Sequence, residues 1–98
     1  MNVQTAGHKY FLDNHQDKEG FQTIQFFQQF ASETPEVVDG TTNEEVLAML
    51  IDRMNFLNGK FPCRENSLAI TKLEEALMWL NKRTENRTAR GVEGTNQV

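Results

Sequence analysis

The sequence has one cysteine, two prolines, one tryptophan and no apolar run long enough to cross a membrane. With Cys63 alone, no internal disulfide can form, and nothing in cysteine usage points to secretion. The polar N-terminus is not a signal peptide, so a soluble cytoplasmic protein is expected, in which the Asn86-Arg87-Thr88 sequon is idle. Apolar residues make up 38% of the 98 positions. That is one domain near the lower limit for burying a core unaided, and it favours an oligomer that shares its core. Positive charge is also scarce. A net charge of −4 disfavours DNA and RNA as partners. No phosphate-cradling glycine loop, metal-ligand cluster or nucleophile–base pair is present, and His8 and His15 have no cysteine neighbours for a zinc site. Catalysis is not expected, and no cofactor is implied.

What is there centres on Phe61 to Gly91. Pro62 suits a first helical position and Gly91 the left-handed residue past the end, which predicts a long helix over 62–90. Ala69, Ile70, Leu73, Ala76, Leu77 and Leu80 form an apolar stripe at three- and four-residue steps. Beyond Leu80 the stripe becomes Thr84, Arg87 and Arg90, joined by Arg83. Lys82 to Arg90 holds four cations and one anion, a local +3 that leaves −7 for the rest of the chain. A small positive patch on an acidic protein suits a compact anion better than a polymer.

Ahead of that helix, residues 1–7 show no periodicity and are expected to fray. Positions 8–28 read as a β-hairpin around the turn Asn14 to Gly20, with a helix over Phe21 to Phe30 as the competing reading. Neither face of Phe21 to Gln28 is cleanly apolar, which suits a small sheet covered on one side. Ala31 to Thr41 is a connector. Thr42 and Glu45 make a capping box, so a second helix is predicted over 43–58, with Val46, Leu47, Leu50, Met54 and Leu57 on one face. Met49, Ile51 and Phe56 add apolar surface elsewhere, as on helices that touch two neighbours. The fold class is therefore α+β: an N-terminal β-hairpin, then an antiparallel two-helix hairpin whose second helix is the longer, in a single domain spanning 1–98. The arginine end of that helix overhangs its partner and needs a ligand or a second chain beside it.

Arg83, Arg87 and Arg90 fall at i, i+4 and i+7, on one side of the helix. Favourable interaction with the helix dipole would explain cations there, at a few tenths of a kcal/mol each. The choice of arginine favours an anion site, because its planar fork pairs bidentately with phosphate. Phe56 is either core or a stacking platform for a nucleobase. Asn66 is either a local cap or a reader of a base edge. Cys63, without a partner base, reads as packing. Asn66 and Arg83 are seventeen residues apart, roughly 25 Å along a helix, so one small ligand cannot touch both in one chain. Two chains with antiparallel long helices would bring the start of one beside the end of the other and create two composite sites.

The run from Gly40 to Thr95, with its KFPCREN, TKLEEALMWL and RGVEGT segments, resembles the C-terminal helical hairpin of the phage Thoeris anti-defence sponges. These are relatives of the anti-CBASS sponges, which share a similar hairpin. The resemblance implies a non-enzymatic protein in the bacterial host cytoplasm. It would bind a cyclic nucleotide immune signal, a cyclic ADP-ribose isomer or a cyclic di- or trinucleotide, without cleaving it. It also implies a homodimer at minimum, or a hexamer built as a trimer of dimers. On the same footing, Phe56, Asn66, Arg83 and Arg87 stand where the family's ligand-contacting aromatic, amide and arginines lie, with Arg64 and Arg90 adjacent. Two other readings remain. One is a structural or adaptor oligomer without ligand. The other is a nucleotide hydrolase using Glu44, Glu45, Glu74 and Glu75 on magnesium, which outward-facing carboxylates disfavour.

Overall fold

A computed structural model of the chain describes residues 1–30 and 36–91. It is α+β and divides into two compact units, Met1–Thr42 and Asn43–Val98. The first five positions of the connector and the tail after Gly91 lie outside the described residues.

The first unit is built on a three-stranded antiparallel sheet of order β1-β2-β3, with strands Asn2–Thr5, Lys9–Asp13 and Phe21–Gln25. The expected hairpin is β2 with β3, in register from Lys9 opposite Gln25 to Asp13 opposite Phe21. Residues 1–7, expected to fray, instead supply β1, paired from Asn2 opposite Phe11 to Thr5 opposite Lys9. The cause is a tight turn. The His8 N–H donates to the Thr5 carbonyl at 2.9 Å, and Gly7 takes the positive φ of 76° that the third turn position demands. Aromatics then grip both faces. Phe11 stacks on Phe21 with centroids 4.0 Å apart, and on the other face Tyr10 meets Phe26 edge-on at 5.9 Å. A short pair, β4 at Gln28–Gln29 with β5 at Val37–Val38, follows. A helix through Phe21 to Phe30 is excluded.

The second unit is the helical hairpin. Helix α1 spans Asn43–Lys60, starting directly after Thr42 as the capping-box spacing requires. It runs two residues past the expected end at Asn58, and the Phe61 N–H still bonds the Leu57 carbonyl at 3.0 Å. Asn58 is used differently. Its side chain accepts from the Cys63 N–H at 3.1 Å and donates to Ser67 Oγ at 3.2 Å, tying the turn to the next helix.

Helix α2 spans Arg64–Ala89, two residues inside the expected start. Pro62 lies outside it, and Cys63 is the N-cap, its exposed thiol accepting from the Asn66 N–H at 3.4 Å. Cys63 therefore caps rather than packs. Gly91, with φ of 73°, terminates the helix in the left-handed region. At 26 and 18 residues the helices are about 39 and 27 Å long, so the arginine end of α2 outruns α1.

The inward positions of α2 are Asn66, Ile70, Leu73, Leu77, Leu80, Thr84 and Arg87. Their steps alternate four and three, the 3.5-residue seam of helices packed side by side. Leu47, Leu50, Met54 and Leu57 supply the matching half-buried row on α1. Ile70 is the one buried hydrophobic residue among those described; the other apolar members of the seam are half-buried. Full burial of such side chains is worth about 1.5–3 kcal/mol each, so this seam realises only part of its potential.

Candidate functional site

Past Leu80 the seam of α2 turns polar, and the positive charge concentrates there. Trp79, Lys82, Arg83, Asn86, Arg87 and Arg90 line an open groove of about 370 Å³. Helical spacing assembles it: Trp79 and Arg83 are one turn apart, as are Arg83 and Arg87, with Lys82 and Asn86 alongside. The dipole of α2 makes this end favourable for cations, and Arg90, as C-cap residue, bonds its N–H to the Asn86 carbonyl at 3.1 Å.

The arginines are not equivalent. Arg83 and Arg90 are exposed, whereas Arg87 is only 8% exposed. Arg87 sits on the inward seam and Arg83 beside it, so the first is anchored and the second is presented to solvent. A bound anion would meet Arg83 directly.

Phe56, Asn66 and Arg64 are elsewhere. Phe56 lies four residues before the end of α1 and is 61% exposed, so it is not core. Its ring is covered by the Lys60 ammonium, 4.5 Å from the centroid. Asn66 is half-buried in the first turn of α2, and Arg64, the first residue of that helix, is exposed. Seventeen residues, or roughly 25 Å of helix, separate Asn66 from Arg83. The fold thus unites Arg83, Arg87 and Arg90 in one groove. Phe56, Arg64 and Asn66 are kept at the opposite end.

Trp79 and Asn86 were not singled out by the sequence pattern, and Lys82 entered it only as the first cation of the positive patch. Trp79 is outside the apolar stripe, yet its placement one turn before Arg83 is a signal that spacing alone could have flagged. It is 61% exposed, and with exposed Met78 it also borders a wider depression of about 590 Å³ lined by Ile51, Glu74, Leu77 and Lys82. Glu75 lies 3.7 Å from Lys72 on the same exposed helix face. No group of three or more His, Cys, Asp or Glu able to hold a metal ion occurs among the described residues.

The family model for the Acb2/Tad1 hairpin domain matches residues 22–85, which takes in all of α1 and most of α2. The chain belongs to that family. A curated relative of the hairpin protein, Thoeris anti-defense 1 of Bacillus phage SBSphiJ7, is 54% identical over 76 residues. The match covers 76% of this chain and 52% of the relative, so the chain spans about half the length of the protein it resembles. The matched family region ends between the groove's residues: Trp79, Lys82 and Arg83 lie inside it, Asn86, Arg87 and Arg90 just beyond.

Proposed function

We propose that the protein is an anti-defence sponge, which captures a host cyclic nucleotide immune signal and holds it unaltered. The ligand would be a cyclic ADP-ribose isomer, or a cyclic di- or trinucleotide, and its removal would blunt Thoeris- or CBASS-type immunity. Membership of the Acb2/Tad1 hairpin family and the name of the phage relative support this reading. The observation that carries it is the groove at the end of α2, where exposed Arg83 and Lys82 stand beside exposed Trp79. Cations there can take the phosphates of a compact anion, with two parallel N–H donors per guanidinium.

Phe56 and Asn66 join this site only through a second chain. With long helices antiparallel, the Phe56 end of one protomer would lie beside the Arg83 end of the other, giving two sites per dimer. The exposed apolar residues Leu68 and Met78 on α2, and Met49 and Phe56 on α1, favour such an association.

Calorimetry against cyclic ADP-ribose isomers and cyclic oligonucleotides tests the proposal, followed by chromatography of the ligand released by heating. Tight binding and recovery of intact cyclic nucleotide are expected. Recovery of a linear or hydrolysed product would overturn the sponge reading. A stable oligomer that gives no heat with any nucleotide would select the adaptor reading, which the same exposed apolar residues would then explain.

A further inference from the structure

We infer that Trp79 is a nucleobase platform of the arginine groove, so that the helix supplying the cations also supplies a π-face for a purine. The inference rests on the proposed nucleotide-binding function and adds a residue and a mode of recognition to it. Three observations converge. Trp79 is the only tryptophan in the chain, and it is 61% exposed although a large apolar ring gains most by burial. It lines the same groove as Lys82, Arg83 and Asn86. It also precedes Arg83 by one turn, about 6 Å along the axis, a span of the order that a ribose sets between a base and its 5′-phosphate.

The alternatives for so exposed an indole are weaker on this chain. The inward seam passes through Leu77 and Leu80 and leaves Trp79 outside it, so hairpin packing does not account for the residue. Within the groove, Trp79 offers a π-face, Asn86 an amide able to pair with a base edge, and Lys82 and Arg83 the positive charge. That set fits a purine nucleotide bearing a pyrophosphate. Phosphate alone would use only half of it.

Because Trp79 is the sole tryptophan, its emission reports on this groove without labelling. Cyclic ADP-ribose titrated into the wild-type protein should quench that emission saturably, at the same midpoint as the calorimetric heat. Inorganic pyrophosphate should bind without comparable quenching. Trp79→Ala should weaken cyclic ADP-ribose binding roughly ten- to hundredfold, the worth of one base–aromatic stack. It should leave pyrophosphate binding within about twofold, since the cations remain. Trp79→Phe should recover part of the loss, which a merely structural role would not predict. Binding heat from cyclic ADP-ribose with unchanged Trp79 emission, or equal weakening of both probes by Trp79→Ala, would overturn the platform while leaving the sponge intact. Absence of heat from every nucleotide would remove the proposed function and this contact with it.

Discussion

The Lys60 ammonium lies 4.5 Å from the centroid of the Phe56 ring, one helical turn away on α1. An exposed cation–π contact of this kind is worth about 0.5–1 kcal/mol. A base that stacks on the covered face must displace the ammonium, which is then free to move toward the ligand's phosphate. Phe56→Ala should weaken nucleotide binding by about 1–3 kcal/mol through lost stacking. With the ring 61% exposed, stability should change by no more than about 1 kcal/mol. A fall in Tm matching a core truncation would show that Phe56 is packed in the assembled protein.

Arg83 and Arg87 should separate in their effects. Arg83 is exposed, so Arg83→Ala should weaken binding by roughly 1.5–3 kcal/mol, the range for a charge-assisted hydrogen bond, with Tm unchanged. Arg87 is 8% exposed on the inward seam, and its stem contributes packing as well as charge. Arg87→Ala should lose affinity and lower Tm together. Thermal melts of the two variants beside calorimetry would decide this, and equal melting temperatures would refute the distinction.

Much of the hairpin is written in short-range signals, and the sequence resolves what those signals reach. Thr42 and Glu45 locate the start of α1, and Gly91 the end of α2, because capping and left-handed termination depend on a few adjacent residues. Strand β1 was obscure because Asn2–Thr5 has Val3 as its single apolar residue and all four of its residues are exposed; its cue is the Ala6-Gly7 turn rather than any alternation. Arg83, Arg87 and Arg90 were legible as one side of a helix. That Arg87 is buried while Arg83 is exposed follows from a 3.5-residue seam continuing beyond its last apolar member. Trp79 escaped notice because a stripe defined by what packs inward is blind to what points out.

Cys63 offers a test of the N-cap. Its thiol accepts from the Asn66 N–H at 3.4 Å, and sulfur is a weak acceptor. Serine is among the preferred N-caps, so Cys63→Ser should stabilise α2 by about 0.5–1 kcal/mol. Alkylation of the exposed thiol should act in the opposite direction. A lower Tm for Cys63→Ser would mean that the sulfur contributes contacts beyond the cap.

The thin seam predicts association. One buried hydrophobic residue among those described, with Leu68, Met78, Met49 and Phe56 exposed, leaves the helical hairpin with apolar surface still to cover. Light scattering at micromolar concentration should give at least a dimer. A monomer would remove the second chain on which a composite site depends.

The composite site itself rests on the roughly 25 Å of helix between Asn66 and Arg83, a separation no small ligand can bridge within one chain. It can be tested by mixing. An Asn66→Ala chain and an Arg83→Ala chain should each bind poorly alone, because every site in either homodimer carries one lesion. After subunit exchange, a heterodimer behaves differently if each site takes Asn66 from one protomer and Arg83 from the other. One of its two sites then collects both lesions and the other has none. Calorimetry on the exchanged mixture should recover full affinity at about one site per heterodimer. If both residues acted from the same chain, every site would keep a single lesion and no full-affinity class would appear. That result would rule out the antiparallel arrangement on which the composite site depends.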